Sequence, residues 1–209
     1  DVYKRQGLDG KDLNIPRVMQ SLLTRSADRI KVRKFNNKQK FAELESMRDI
    51  FNDAWQNNWN FSPFTREEFD HIGSELLMVT PKDFIHIAEV DGEDVAFIVL
   101  MPNINEVIAD LNGHLLPFGW AKLLWRLKAD FPKTGRVALM GVKQKYQNTR
   151  FGPALAYVTI KEVIEAGIAR GLETVEMSWI LEHNHGVRNI IESLGGEITK
   201  RYRMYEKSL

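Results

Sequence analysis

Two β-rich runs, Phe84–Val90 and Val95–Met101, flank the pair Asp91-Gly92, and this pattern restricts the fold more tightly than any other in the chain. An Asp-Gly pair supplies the positive-φ residues of a tight hairpin, so the two runs are expected to pair antiparallel. Upstream, Ile30–Phe35 reads as a short strand. It is followed by Lys38–Trp55, where Phe41, Leu44, Met47, Ile50, Phe51 and Ala54 recur at helical spacing. Thr65 with Glu68 three residues later is a capping-box signature for a second helix, ending near Val79. Downstream, Pro102–Lys133 is a long connection with a basic, aromatic stretch, Trp120–Lys128, expected to form a short helix. Then come a buried strand at Val137–Val142, a helix at Pro153–Arg170 ended by Gly171, a strand at Thr174–Leu181, a helix at His185–Leu194 ended by Gly195-Gly196, and a last strand at Glu197–Tyr205. The order β-α-α-β-β-β-α-β-α-β predicts an α/β (α+β) fold, in which a mixed sheet is covered by helices on both faces.

A chain of 209 residues is within the range of one ordinary domain, and 44% apolar with 27% charged residues is globular composition. No apolar run approaches the roughly 18 residues of a membrane span. A net charge of +1 offers no electrostatic case for nucleic acid. With no cysteine there is no disulfide framework, thiol nucleophile or thiolate metal site. No apolar targeting segment is visible at the start, which points to the cytoplasm. Asp1–Gln6 reads like a translated sequencing adapter and is set aside in the fold reasoning; residues 1–29 as a whole show no clear period and read as a leader or the remnant of a preceding domain. The domain is then expected over 30–209, with an insertion at about 103–133.

Chemistry is first suggested where the strand ending at Val142 turns into the helix opening near Pro153. A helix N-terminus offers unpaired N–H groups and the positive end of the macrodipole, and Lys143, Lys145 and Arg150 add charge, so this turn is a candidate anion site. Pro153 fits the first helical turn, where its missing N–H costs nothing. The segment Gln147-Asn148-Thr149-Arg150-Phe151-Gly152 resembles the Gln/Arg-x-x-Gly-x-Gly/Ala turn of GNAT acyltransferases. The resemblance implies a GNAT-like, mostly antiparallel sheet and a CoA thioester, acyl-CoA or acetyl-CoA, as co-substrate. Val142, Gln147, Asn148, Thr149, Arg150, Phe151, Gly152 and the later Asn184 would hold it. Arg150 stands where the family has its middle glycine, and Asn148, which tolerates the left-handed region, is expected to relieve part of the resulting strain.

The strand Thr174–Leu181 places Thr174, Glu176 and Ser178 on one face and Val175, Met177 and Trp179 on the other, and the first face is too polar for plain core. GNAT domains likewise carry an Asn after this strand, then a helix whose Tyr protonates the departing thiolate. Here Ile191 stands at that place, and Tyr146, Tyr202 or water is the alternative acid. A closer resemblance spans Ile30 to Lys207. The segments Asn52-x-Ala54-Trp55-x-x-Asn58-Trp59-x-Phe61, Asn112-Gly113-His114-Leu115-x-Pro117-Phe118-Gly119, Glu176-x-Ser178-Trp179-x-Leu181-Glu182-x-Asn184 and Lys200-x-Tyr202-Arg203-x-Tyr205-Glu206-Lys207 look like the bacterial ceramide-synthase-like acyltransferases. That resemblance implies acyl transfer to a primary amine, with a sphingoid-like amino alcohol as acceptor.

Acylation needs a neutral amine, and an alkyl amine of pKa about 10.4 is only about one part in a thousand neutral at pH 7. Glu176 and Glu182 are therefore the candidate bases, with a structural hydrogen-bonding role as the rival reading of each. His183 and His185 flank Asn184 without a third ligand at sensible spacing, so no metal is expected. Asn52, Trp55, Asn58, Trp59 and Ser178 are candidates for the acceptor pocket; the tryptophans as core and the asparagines as caps is the competing reading. Trp120, Leu123, Leu124 and Leu127 with Lys122, Arg126 and Lys128 suit either peripheral membrane contact or, the preferred reading, packing of an amphipathic insertion on its own domain.

Overall fold

The computed structural model describes residues 2–7, 17–26, 28–58, 60–114, 116–181, 184–203, 205 and 207; of residues 2–7, Val18 and Ser178 only the backbone is described. In chain order the elements are β1 (Val2–Gly7), α1 (Arg17–Ser26), β2 (Ile30–Lys34), α2 (Lys40–Trp55), α3 (Arg66–Val79), β3 (Ile85–Val90), β4 (Glu93–Pro102), α4 (Ile104–Ile108), α5 (Gly119–Ala129), β5 (Thr134–Val142), α6 (Gln144–Gln147), α7 (Phe151–Ala169), β6 (Thr174–Ile180), α8 (His185–Ser193) and β7 (Glu197–Arg201). The seven strands form one sheet in the order β2-β3-β4-β5-β6-β1-β7. Every pairing is antiparallel except β5 with β6, whose crossover is α7.

Local chemistry explains the elements read from the sequence. Asp91 and Gly92 both sit at positive φ, 54° and 86°, and close the β3–β4 hairpin as the Asp-Gly pair requires. Thr65 and Glu68 complete their capping box, each side chain bonding the other's backbone N–H. β3 and β4 are buried almost throughout because helices lie on both faces of the sheet. On one face α2 and α3 bring Leu44, Met47, Ile50, Phe51 and Phe69 onto Ile85, Ile87, Phe97 and Val99. On the other, α7 brings Tyr157, Ile160, Val163 and Ile164 onto Phe84, Ile98, Leu100, Val137, Val175 and Met177. α2 is further fixed by Arg33, whose guanidinium bonds the buried Glu43 at 2.6 and 2.7 Å as well as Glu89 and Asp94.

The first 29 residues depart from the expectation. Val2–Gly7, which takes in most of the Asp1–Gln6 segment set aside in the sequence reading, is placed as a strand between β6 and β7. The stretch that showed no period contains α1, whose Met19 and Leu23 pack at the edge of the α7 core. Two apolar residues one turn apart are too weak a signal to stand out among polar neighbours. Beneath α7 lies a buried polar residue, His86 of β3, 1% exposed and with neither ring nitrogen hydrogen-bonded. Burial, and after it the nearby Lys34, depresses its pKa to about 4, so the ring is neutral at pH 7.

Candidate functional site

β5 and β6 are hydrogen-bonded only from Thr134 opposite Thr174 to Val137 opposite Met177; beyond that point they part, while β4 stays paired with β5 up to Val142. At the point of parting β5 carries one extra residue, Ala138, between the partners of Leu100 and Val99, a bulge that interrupts the ladder. The gap becomes a cleft of about 1210 Å³. Its walls are β5 from Thr134 to Val142, the start of α7 (Gly152, Pro153, Ala156), the end of β6, the start of α8 (Asn184 to Val187) and the end of α2 with Trp55 and Asn58. The N-termini of two helices thus edge the same cleft, and both macrodipoles favour a negative group there.

The β5–α7 turn is more ordered than its sequence suggested. It contains the single turn α6, anchored by the Asp53 carboxylate, which accepts the Gln144 N–H at 2.6 Å. Gln147 closes the turn onto its own strand, donating to the Val142 carbonyl at 2.8 Å and to Ala54 at 3.3 Å. Thr149 accepts the Phe151 N–H at 3.1 Å through its hydroxyl, and the Gly152 N–H bonds the Thr149 carbonyl at 3.2 Å. The leading donors of α7, expected to be unpaired, are therefore engaged within the turn. Lys143 and Lys145 both bond Glu93, whose pKa falls through hydrogen bonds first from Lys145 and then from Lys143, so these lysines meet a fixed anion rather than an open site.

One further expectation is corrected. Asn148 has φ −95° and relieves no left-handed strain. Gly152 is glycine because a Cβ there would lie 2.7 Å from the carbonyl oxygens of both Gln147 and Tyr146. The close approach the sequence pattern records is thus between backbone and backbone. Arg150 stacks over the Phe151 ring at 5.7 Å. Tyr146 packs edge-on against Phe151, and neither lines the cleft, whereas Val142, Gln147, Asn148 and Gly152 do. Tyr146 is thus turned away from the cleft.

On the opposite wall, Asn184 caps α8 by accepting the Val187 N–H at 3.3 Å. Ile191 lines the cleft and is 1% exposed, so the position where the resemblance looks for an acid presents carbon. Glu176 does face the cleft, as the strand period requires, and pairs with Arg136 of β5 at 2.9 Å. Arg136 was missed because the expected strand began one residue later; its register opposite Glu176 is the signal that identifies it. Trp179 breaks the alternation and is 63% exposed, because β6 shifts register between Met177 and Ile180. Glu182 and His183 lie outside the described residues, as do Trp59 and the side chain of Ser178.

Of the acceptor candidates, Trp55 and Asn58 line the cleft; Trp55 stacks on Phe51 at 5.1 Å and donates Nε1–H to the Met140 carbonyl at 3.1 Å. Asn52 does not line it. Its amide exchanges two hydrogen bonds with the Phe64 backbone, 3.0 and 2.9 Å, and pins the aromatic loop. Among the described residues no group of three or more His, Cys, Asp or Glu is arranged to hold a metal ion.

The family model described as Acetyltransferase (GNAT) family matches residues 44–195. The chain is 46% identical over 198 residues to Protein YghO of Escherichia coli, a match covering 95% of this chain and 51% of that protein. It is 43% identical over 167 residues to a bacterial ceramide synthase of Caulobacter vibrioides, covering 80% and 44%. The chain spans about half the length of these curated relatives. Among solved structures it is similar to a GCN5-related N-acetyltransferase from Sphaerobacter thermophilus, with TM-score 0.58 and 14% identity over 95% of this chain and 48% of that one. It is also similar to AAC(6')-Iy in complex with a bisubstrate analogue containing CoA, with TM-score 0.53 and 18% identity over 86% and 99%. These structural likenesses show the fold.

Proposed function

Since the chain belongs to the GNAT acetyltransferase family, we propose that it transfers an acyl group from a CoA thioester to a primary amine, and that its donor is a long-chain acyl-CoA and its acceptor a long-chain amino alcohol. One observation carries the reading: a cleft opened by the parting of parallel β5 and β6 and edged by the N-termini of α7 and α8. Where β6 leaves β5, the edge of β5 loses its ladder partner. A flexible amide-bearing arm such as pantetheine has the donors and acceptors to pair with that edge. The pyrophosphate then lies toward the α7 turn, against Asn148 to Gly152, where the α7 macrodipole favours it. The thioester reaches the bulge at Ala138, where Glu176 on the neighbouring strand takes a proton from the ammonium; the freed amine attacks the thioester carbonyl, the C–N bond forms as the C–S bond breaks, and CoA leaves as a thiolate that takes its proton from water.

The long-chain part of the reading is supported by the printed name of the Caulobacter relative and by the cleft walls, where Met101, Val137, Met140, Met177, Ile180 and Ile190 supply carbon. Each buried methylene is worth about 0.8 kcal/mol, so a site covering several carbons separates a fatty acyl donor from acetyl by orders of magnitude. The test is initial rate against donor chain length, with a sphingoid base and with a polyamine as acceptors. Preference for fatty acyl-CoA with the sphingoid base is the expected result. Preference for acetyl-CoA with the polyamine removes the lipid reading and leaves a small-amine acetyltransferase. CoA binding without turnover on any amine makes the chain an acyl-CoA-binding module, the reading that Ile191 in the cleft wall favours.

A further inference from the structure

The segment joining β4 to β5 is an arm of two helices with an unusual distribution of carbon. α5 turns Leu123, Arg126 and Leu127 inward, and Arg126 ties it to α4 through the Val107 carbonyl and the Asp110 carboxylate, both at 2.6 Å. Its other side is apolar and uncovered: Trp120 is 52%, Leu124 49% and Trp125 63% exposed, and in the preceding turn Leu116 is 80% and Phe118 78% exposed. The expectation that this amphipathic segment packs on its own domain holds only for the inner stripe. Large apolar side chains exposed so close together in one short segment mark a contact with something else.

We propose that the outer face of the α4–α5 arm docks on the surface of a lipid bilayer and presents the cleft to an amphiphile dissolved in it. The inference rests on the long-chain reading of the acceptor given above. Three observations select a bilayer. First, the composition suits the lipid–water boundary: two tryptophans and a leucine are exposed on α5, a leucine and a phenylalanine in the turn just before it, and the exposed Lys128 of the same helix can lay its stem along carbon while its head stays wet. Second, the Trp120 indole N–H is already bonded to the Pro117 carbonyl at 2.9 Å, so leaving water strands no donor on that ring. Third, the arm and the cleft share a rim. The arm leaves the sheet at Asn103 to Asn105 and returns at Thr134, all of which line the cleft.

That rim is firmly fastened. The Asn103 N–H bonds the Thr134 carbonyl at 2.9 Å, its side-chain amide bonds the Thr134 hydroxyl at 2.9 Å, and Glu106 accepts the Lys133 N–H at 2.8 Å and the Thr134 hydroxyl. A surface held by the arm is therefore held at a fixed place beside the cleft mouth. α5 has 11 residues, roughly 16 Å of helix, about half of what a bilayer core requires, so it lies on the surface. No helix among the described residues is long and apolar enough to cross a membrane.

The experiment is co-sedimentation of the 209-residue chain with vesicles of phosphatidylcholine alone and of phosphatidylcholine with phosphatidylglycerol. It compares the chain with the triple variant Trp120→Ser, Leu124→Ser, Trp125→Ser and with the pair Leu116→Ser, Phe118→Ser. The chain is expected to pellet with vesicles, and the triple variant to bind about tenfold more weakly or less while keeping its far-ultraviolet dichroism. Acylation of a vesicle-embedded long-chain amine falls in the variant, and acylation of a short, water-soluble amine does not. The proposal is overturned if the chain does not pellet with either vesicle, if both variants bind as the parent does, or if the substitutions instead convert a dimer to a monomer, which makes the face a protein interface. Vesicle binding without turnover of any long-chain amine leaves the docking surface standing and removes the acceptor reading alone.

Discussion

The two walls of the cleft are each a strand running into a helix, yet the bonds seen in them differ in kind. The β5–α7 wall is braced from several directions: Asp53 from α2, Gln147 onto its own strand, Thr149 on the start of α7, and Glu93 on both lysines. Among the described residues, the β6–α8 wall includes the β6 ladder to β1, the capping bond at Asn184 and, farther along the strand, the Glu176–Arg136 pair. On the proposed function the difference has a reason. CoA is the same in every turnover and gains from a preformed wall, because binding then orders little. The side that meets the amine carries the proton chemistry, through Glu176. The comparison predicts that damage to the first wall appears in cofactor affinity and damage to the second in turnover.

The largest effect is expected at Glu176. Glu176→Gln should lower kcat by about 10²–10³-fold with little change in CoA affinity, because a base acts after the donor is bound. The loss should shrink as pH rises and more of the amine is already neutral. Rate profiles from pH 6 to 10 with calorimetric titration of CoA read both quantities. Equal loss at every pH, or an equal fall in CoA affinity, makes Glu176 merely the partner of Arg136 and dissolves the contrast between the walls.

Next in size is an effect of pH on the foundation of the first wall. His86 lies under α7 with a folded pKa of about 4, below its unfolded value near 6.5. The unfolded chain therefore binds the proton more tightly. The neutral ring's contribution is complete above pH 6.5 and is lost as pH falls from there to 4, by up to about 3 kcal/mol. Lys34 opposes the charged ring, Asp83 favours it, and Glu162 of α7 lies 3.9 Å from Nε2. Hydrogen exchange at pH 5 should accelerate in α7 before it does in α8. His86→Phe should flatten the acid limb; an unchanged limb would place the sensitivity elsewhere.

A third effect compares two glycines, one in each wall. At Gly152 an added Cβ meets two carbonyl oxygens at 2.7 Å, whereas at Gly186 it meets nothing within 4 Å. Gly152→Val should force the turn to shift and weaken CoA by about thirtyfold, roughly 2 kcal/mol, while Gly186→Ala leaves CoA affinity near the parent's. Titration of both folded variants decides it, and equal losses would mean that the first wall is no more closely fitted than the second.

How much of this was legible in the sequence depended on whether the cause was local. The Asp91-Gly92 hairpin and the Thr65 capping box were legible because turn and cap chemistry involves four adjacent residues. Glu176 was set on the face opposite Val175 and Met177, and the burial of those two bears that out, because a strand alternates until something breaks it. Trp179 was not, because the register shift that breaks it depends on the neighbouring strand. The cleft exists because β5 and β6 stop pairing after Val137 and Met177, and no residue type announces where two distant strands part. The same holds for Tyr146 and Asn52. Each has the chemistry a site needs, but the orientation of Tyr146 is set by Phe151 and that of Asn52 by the Phe64 backbone.

The smallest effect tests the second wall most directly. Asn184 is the one described side chain that satisfies a leading N–H of α8, through Val187 at 3.3 Å, a long bond on an exposed residue. Removing an N-cap of this kind costs about 1 kcal/mol, so Asn184→Ala should lower the free energy of unfolding by that amount in a denaturant titration. Asn184→Asp should restore it, because the carboxylate can accept the same bond and its charge suits the helix N-terminus. The two substitutions must nevertheless differ in function if the α8 terminus faces the donor's phosphates, since a fixed carboxylate repels them where the amide does not. A stable Asn184→Asp protein with reduced CoA affinity would show that the second wall also holds the cofactor, so that the division between a donor wall and an acceptor wall is incomplete. A stable Asn184→Asp protein with unchanged CoA affinity keeps the phosphates on the α7 side and leaves the α8 wall to the amine.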